Sequence, residues 1–140
     1  MAELRVELPS VVTVLASSEI CDGVGAPTDA MLLRLAPREV MLVGVLDVSD
    51  VRTSAGAACL VVDVSDAWVS LVLEGADAPE AFSRLSELEL PSEGWVQGEV
   101  ARTAAKVLVE PARITILVPA MLAAHVEERV RTDAAEVLAP

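Results

Sequence analysis

Histidine, cysteine and tyrosine, which often do acid–base or nucleophilic chemistry, are scarce in this 140-residue sequence: it has one histidine, two cysteines and no tyrosine. The only histidine, His125, lies in a helical pattern, one residue before the apolar position Val126 and three before Glu128. A hydrogen bond at the flank of a helix explains this histidine better than a role as a base or metal ligand. No Ser-His-Asp, Cys-His or two-carboxylate arrangement can be built, so we predict no catalytic residue in this chain.

Signals for metal or phosphate binding are equally weak. Cys21 and Cys59 are isolated, without CxxC spacing, which predicts reduced thiols rather than a disulfide or a metal site. The tetrapeptide Asp-Val-Ser-Asp occurs at 47–50 and 63–66, but neither copy has the glycine and terminal glutamate of a calcium loop. Aspartates that close turns explain both copies. The Gly-Val-Gly at 23–25 is too short for a phosphate cradle, so we predict no cofactor or metal site.

Two tryptophans and two basic residues suggest a protein interface instead. Trp68 and Trp95 stand apart from the apolar stripes, and interfaces are enriched in tryptophan. The alternative is that Trp68 packs over the helix that begins at Ala78. Arg102 and Lys106, four residues apart on a predicted strand, share a face from which they could reach an acidic partner. A solvated strand face is the alternative for this pair.

The composition of the chain restricts the classes of molecule that it is expected to bind. The formal charge of −12 and sequence pI near 4.3 argue against nucleic-acid binding, because no basic field exists to release counterions. Hydrophobic residues make up 54% of the chain, yet no apolar run approaches the roughly 20 residues of a membrane span. This composition predicts either apolar surface buried against a partner or simply an abundance of alanine and valine. The N-terminus lacks a secretory signal, so we expect a cytoplasmic protein.

The elements that must position these residues are organised around positions 62–85. Val69, Leu71 and Leu73 form one aliphatic face of a strand, and the intervening residues form a half-polar face that includes Trp68. A helix is predicted to follow, because Asp77 is a suitable capping acid and a proline and a second acid come next. Its apolar stripe is Ala78, Ala81, Phe82, Leu85 and Leu88.

The whole pattern predicts one α+β domain over residues 1–140, a mostly antiparallel sheet covered by two main helices. Its parts are N-terminal strands in 1–46, a loop at 47–58 and a β-α-β-β-α unit at 59–138. The more detailed expectations are a strand at 3–8, a loop at 17–28, strands at 31–35 and 40–45, a strand at 100–109 paired with 113–118 as a hairpin, and a last helix opened by Pro119.

Four segments resemble a known family. They are LRLAPREVMLVG at 33–44, DVSDAWVSLVLEGADAPEAF at 63–82, GEVARTAAKVLVE at 98–110 and ILVPAMLAAHVEERV at 116–130. In order and spacing, from about residue 30 to 138, they look like the gamma (small) subunit of heterotetrameric sarcosine oxidase. The strand-turn-helix signature is shared with the folate-binding domain of aminomethyltransferases such as the glycine cleavage T-protein. This chain departs from the family pattern at 36–40, 75–76 and 87–91.

The resemblance implies a non-catalytic subunit of a flavin-dependent complex that removes an N-methyl group from sarcosine or a related amine. FAD, FMN, NAD and tetrahydrofolate would lie on the larger alpha and beta subunits, and zinc on the small delta subunit. Two alternatives remain open. One is a stand-alone folate-binding or aminomethyltransferase-like protein, with Asp63 or Asp66 as the pocket acid; the other is an unrelated assembly scaffold.

Overall fold

A computed structural model describes residues 1–44 and 46–140 and divides them into two compact units. The first unit contains Met1–Leu8 and Ala67–Pro140, and the second contains Pro9–Asp66. Each unit has its own antiparallel sheet, of five and four strands. The α+β class is therefore confirmed, but with two sheets where one was expected; that residues 1–140 form a single domain stays a prediction.

The helices and strands alternate along the chain as follows. The strands are β1 (Glu3–Glu7), β2 (Ser10–Leu15), β3 (Ala30–Ala36), β4 (Glu39–Gly44), β5 (Leu60–Asp63), β6 (Trp68–Glu74), β7 (Gly94–Val100), β8 (Thr103–Glu110) and β9 (Arg113–Pro119). The helices are α1 (Ser18–Asp22), α2 (Val48–Ala55), α3 (Ala78–Ser83) and α4 (Ala123–Asp133), with 3₁₀ turns at Ser65–Ala67 and Ala120–Leu122. Among the described residues no helix is both long enough and apolar enough to cross a bilayer.

The first unit has the strand order β1-β6-β9-β8-β7, with every neighbouring pair antiparallel. Leu71 and Leu73 of β6 are fully buried in one cluster with Phe82 of α3 and with Val126 and Val130 of α4. This confirms the alternation predicted for β6, because its odd positions lie on the side of the sheet that the helices cover.

Both helices of the first unit are shorter than predicted. α3 ends at Ser83, so Leu85 and Leu88 of the predicted stripe follow the helix, although Leu85 is still buried in the same cluster. α4 begins at Ala123, because a 3₁₀ turn over Ala120–Leu122 separates it from Pro119. Pro119 is thus the last residue of β9 rather than the start of the helix.

The predicted strand at 100–109 is interrupted. Ala101 and Arg102 form a two-residue turn between β7 and β8, with positive φ angles of 49° and 64°. Such turns favour Asn-Gly, so Ala-Arg carries no sequence signal and the hairpin was missed. The hairpin of β8 and β9 is confirmed, and its turn consists of Pro111 and Ala112.

The second unit has the strand order β3-β4-β2-β5. The helix-side core of this unit is the cluster of buried residues between the sheet and its helices. It contains residues that lie opposite one another on paired strands, together with residues from the helices and the segment before α1. They are Val12, Val14, Ala16, Cys21, Val40, Leu42, Val51 and Val61. The strand predicted at 40–45 is confirmed as far as Gly44, and Val45 lies outside the described residues.

Two helices occupy segments that were predicted as loops, at 17–28 and 47–58. Ser17 caps α1, and Asp47 caps α2 by accepting a hydrogen bond from the Ser49 N–H at 2.7 Å. Val51 of α2 is buried. These helices are too short for a clear periodic signal, and the same Ser, Asp and Gly residues that cap helices also mark loops.

Candidate partner-binding surface

Three of the four predicted interface residues lie on one face of the first sheet, opposite α3 and α4. Trp68 pairs with Pro119, Lys106 with Leu117, and Trp95 with Leu108. Alternate residues of these strands are the ones in the helix-side core. Because Trp68 faces away from α3, the alternative that it packs over that helix is wrong. We call this side of the sheet the tryptophan face.

The residues of the tryptophan face differ in exposure. Ser70, Val72, Leu108, Thr115 and Leu117 are buried. Trp68, Trp95 and Lys106 are half-buried, and we call these three residues the margin of the face. The margin is the part of this face that we consider as a candidate for contact with a partner protein.

Trp68 and Lys106 contact each other directly. The Lys106 Nζ lies 4.7 Å from the centroid of the Trp68 ring, within the range of a cation–π interaction. The two residues are brought together because β9 lies between their strands and places them on a diagonal of the same face. This contact holds the indole in a defined position at the edge of the sheet.

Arg102 lies elsewhere. It is exposed in the β7–β8 turn, so it does not share a strand face with Lys106 as the sequence predicted. It lines a surface groove of about 530 Å³ together with Arg84 and Arg129. Arg84 is paired with Glu80 at 3.3 Å, and Arg129 is paired with Asp133 at 2.7 Å, both within one helical turn.

An ion-pair network on the tryptophan face was missed by sequence reasoning. Arg5 lies 2.6 Å from Glu74 and 3.5 Å from Glu7, and Arg113 lies 3.2 Å from Glu7 and 3.8 Å from Glu110. The network joins β1, β6, β8 and β9 at their charged ends. The alternation of β1 predicts that Arg5 and Glu7 share a face, but only the strand order shows which charges lie opposite them.

The other residues singled out for chemistry have local roles. His125 is exposed on α4, and among the residues that the structure describes it forms no hydrogen bond with Glu128. Both cysteines are free thiols: Cys21 is buried, and Cys59 donates to the Ala55 carbonyl at 3.1 Å.

The two Asp-Val-Ser-Asp segments close turns, as predicted. Asp47 is the cap of α2, and an oxygen of the Asp63 carboxylate accepts from the Ser65 N–H at 3.0 Å. The hydrogen bonds from Ser65 are the main cause of the lowered pKa of Asp63, and the nearby charge of Arg52 adds to the effect. Asp66 is exposed in the following 3₁₀ turn.

The apolar surplus predicted from composition is visible at the surface. In the first unit Leu8 is 86% exposed and Met121 is 89% exposed. In the second unit Leu60 is 59% exposed and lies directly opposite the partly exposed Leu15. The alternation of the first strand predicted that Leu8 is buried, and this prediction is wrong. Single exposed apolar side chains are normal on protein surfaces, so these residues are compatible with an interface but do not by themselves indicate one.

Comparisons with known proteins point to one fold. No protein-family model matches the chain, and no curated protein matches it. A chain of heterotetrameric sarcosine oxidase from Corynebacterium sp. U-96, solved in complex with pyrrole 2-carboxylate, matches with a TM-score of 0.80 and 17% identity. That match covers 99% of this chain and 86% of the other chain.

A second solved structure is similar to a lesser degree. The regulatory subunit of aspartate kinase from Thermus thermophilus matches with a TM-score of 0.50 and 12% identity, over 98% of this chain and 97% of that one.

The match to the sarcosine oxidase chain confirms the predicted fold class, an α+β fold similar to the folate-binding domain of aminomethyltransferases.

Proposed function

We propose that this chain is the non-catalytic gamma-type subunit of a multi-subunit flavin-dependent oxidoreductase similar to sarcosine oxidase. The complex would oxidatively demethylate an N-methyl amine or amino acid. The observation that carries the proposal is the structural likeness to a chain of heterotetrameric sarcosine oxidase, with a TM-score of 0.80 across 99% of this chain. A likeness that extends over both compact units supports a shared role for the whole chain rather than for one motif.

In this proposal the chemistry belongs to the partners. The alpha and beta subunits would bind FAD, FMN, NAD and tetrahydrofolate, and the delta subunit would bind zinc. This chain would supply surface and rigidity, which agrees with its single histidine at an exposed helix position and its two free thiols in local hydrogen bonds. We propose no nucleic-acid partner, because the chain carries a net charge of −12. A cytoplasmic location of the complex is part of the same proposal.

Contacts with the larger subunits would form at two kinds of surface. The margin of the tryptophan face offers Trp68, Trp95 and Lys106, and the adjacent turn offers Arg102. Exposed apolar side chains such as Met121 would be covered at the same time. Burying aromatic and methionine side chains supplies most of the binding free energy in many interfaces, and surrounding charges select the partner.

Co-expression tests the proposal directly. The chain is expressed together with any large flavoprotein subunits that neighbouring genes are found to encode, and the products are separated by size-exclusion chromatography with mass measurement. We expect one stoichiometric complex that oxidises an N-methyl amine, and an incomplete or inactive assembly when this chain is omitted. A chain that stays monomeric and never joins a flavoprotein would overturn the proposal.

Variants separate the structural role from a catalytic one. His125→Ala, Cys21→Ser and Cys59→Ser are expected to leave turnover of the assembled complex within a few-fold of wild type. Loss of a general base typically costs roughly 100-fold or more. A fall of that size with assembly intact would show that this chain takes part in the chemistry.

The interface itself is tested with the tryptophans. Trp68→Ala and Trp95→Ala are each expected to weaken subunit association by about 2 kcal/mol, because truncating an interfacial tryptophan removes a large contact area. The unfolding midpoint of the isolated chain is the control. If the midpoint falls while subunit affinity is unchanged, the tryptophans serve the fold and not the interface.

A further inference from the structure

The second unit contains a groove of about 600 Å³ that the proposed subunit role does not use. It lies between α1, the segment 23–27, α2 and strand β4, all within residues 9–66. Small-molecule sites in proteins commonly have volumes of roughly 300–1,000 Å³ and an apolar lining with a few polar groups. The groove has the size and the mixed lining of such a site.

The floor of the groove is apolar. Leu42 and Val51 are buried members of the helix-side core, and Ile20 and Val24 are partly buried against the same core. These side chains come from β4, α2, α1 and the segment after α1, so the floor is assembled from elements that the tertiary fold holds together. An aliphatic or alicyclic group of a ligand can replace water over this floor with a gain in free energy.

The charged side chains that line the groove all have one sign. Glu19 of α1 and Asp50 of α2 are carboxylates, and none of the described residues that line the groove is a lysine, arginine or histidine. The base nearest in sequence, Arg52, donates a hydrogen bond to the Val61 carbonyl on β5, and Arg34 is paired with Asp22 at 2.8 Å.

The helix dipoles do not decide the sign of the field in the groove. Ser54 and Ala55 line it at the negative end of α2, but Glu19 and Asp50 lie in the first turns of α1 and α2, where the dipole is positive. The two carboxylates themselves therefore favour a cation and disfavour a carboxylate ligand.

We propose that this groove binds a small organic ammonium ion, with its alkyl or cycloalkyl body on the apolar floor and its charge between Glu19 and Asp50. A free anionic group on the ligand would be repelled, because no base in the groove is available to receive it. The site is independent of the proposed partner interface, since its lining includes none of the tryptophan-face residues.

The test uses cyclohexylammonium as the probe, with cyclohexanol and cyclohexanecarboxylate as matched neutral and anionic probes. Each is titrated into the ¹⁵N-labelled full-length chain at pH 7, and amide shifts are followed by NMR. We expect saturable shifts at residues 19–26 and 50–55 for the cation, with at least fivefold weaker binding for the neutral probe and weaker still for the anion. High salt is expected to reduce this preference.

Variants locate the binding. Ser54→Trp places a large side chain in the groove from an exposed helix position, and is expected to abolish the shifts while circular dichroism stays unchanged. Glu19→Gln combined with Asp50→Asn is expected to reduce affinity for the cation to that for cyclohexanol. Asp29→Asn removes an exposed acid that does not line the groove, and should bind like wild type.

Several results with the probes and variants would overturn the proposal. They are no saturable binding of cyclohexylammonium, equal binding of the cationic and neutral probes to wild type, or unchanged binding in a folded Ser54→Trp variant. Loss of affinity in Asp29→Asn equal to that in the double variant would also overturn it, because it would show a general response to net charge rather than a site.

Discussion

The two units differ in how they achieve a stable core. The first unit buries Phe82 together with long aliphatic side chains such as Leu71 and Ile116, beneath an eleven-residue helix. The second unit is built mostly from valines with Leu42, beneath helices of five and eight residues, and it has no aromatic side chain in its core. Because buried apolar area drives folding, the second unit must depend more on helix caps and turn hydrogen bonds.

The two units also differ in which residue types adopt positive φ angles. Among the described residues, the non-glycine residues with positive φ are Ala101, Arg102 and Ala112, all in turns of the first unit. In the second unit the positive φ angles fall on Gly44 and Gly56. The first unit also has glycine at positive φ, at Gly75 and Gly94, so among the described residues the units differ in that the first alone places alanine and arginine in this costly region.

The largest expected effect on stability comes from replacing one buried leucine in each core with alanine. Leu71→Ala should lower the free energy of unfolding by about 3–5 kcal/mol, because Leu71 is fully buried beneath the helices of the first unit. Leu42→Ala should cost about 2 kcal/mol, because Leu42, although buried, lines the groove, so that its truncation enlarges an existing opening rather than creating a closed cavity. Urea unfolding followed by circular dichroism measures both. An equal or larger loss for Leu42→Ala would contradict this comparison.

The next largest effect on stability is expected from replacing the aspartate that precedes a helix in each unit. Asp47→Ala should cost about 1 kcal/mol, because Asp47 accepts the Ser49 N–H at the start of α2. Asp77 precedes α3 but forms no cap hydrogen bond, only an ion pair with the N-terminal amino group at 3.1 Å. Asp77→Ala should therefore cost about 0.5 kcal/mol or less.

Thermal unfolding of both cap variants checks this ranking. Asp47→Asn is the matched control, because asparagine caps helices about as well as aspartate and should retain most of the stability. If Asp77→Ala is the more destabilising change, the second unit does not depend on its cap in the way proposed here.

A smaller effect is expected from the strained turn of the first unit. Arg102→Gly should stabilise the protein by about 0.5–1 kcal/mol, because glycine adopts the φ of 64° without the side-chain penalty. Arg102→Ala keeps the penalty and serves as the control. Chemical denaturation compares the variants, and a destabilised Arg102→Gly would mean that the arginine side chain contributes more than the turn strain costs.

The smallest expected effect concerns pH. The folded pKa of Asp63 lies below its ordinary value, so its hydrogen bonds to Ser65 stabilise the second unit above that ordinary pKa. The contribution is lost as pH falls through the lowered folded pKa. We expect the difference in melting temperature between wild type and Asp63→Asn to be small at pH 7 and to vanish in strong acid. A difference that grows on acidification would have the wrong sign.

The sequence by itself determined which residues share a face and where some elements end. The alternation from Val69 to Leu73, the β8–β9 hairpin at Pro111, and the helix positions Val126 and Val130 all follow from periodicity and from proline. These features depend on neighbours a few residues apart, so local pattern was sufficient. The absence of a catalytic group, which was inferred from residue types alone, stays a prediction.

Only the tertiary structure decided the rest. It split the strands between two sheets, and it placed Trp68 on the face away from α3. It also turned the chain at Ala101 and Arg102 with no glycine, and gave the short α2 a buried residue at Val51. Pairing between distant strands decides these features, because alternation shows that residues share a face but not which face is covered or which strand lies beside it.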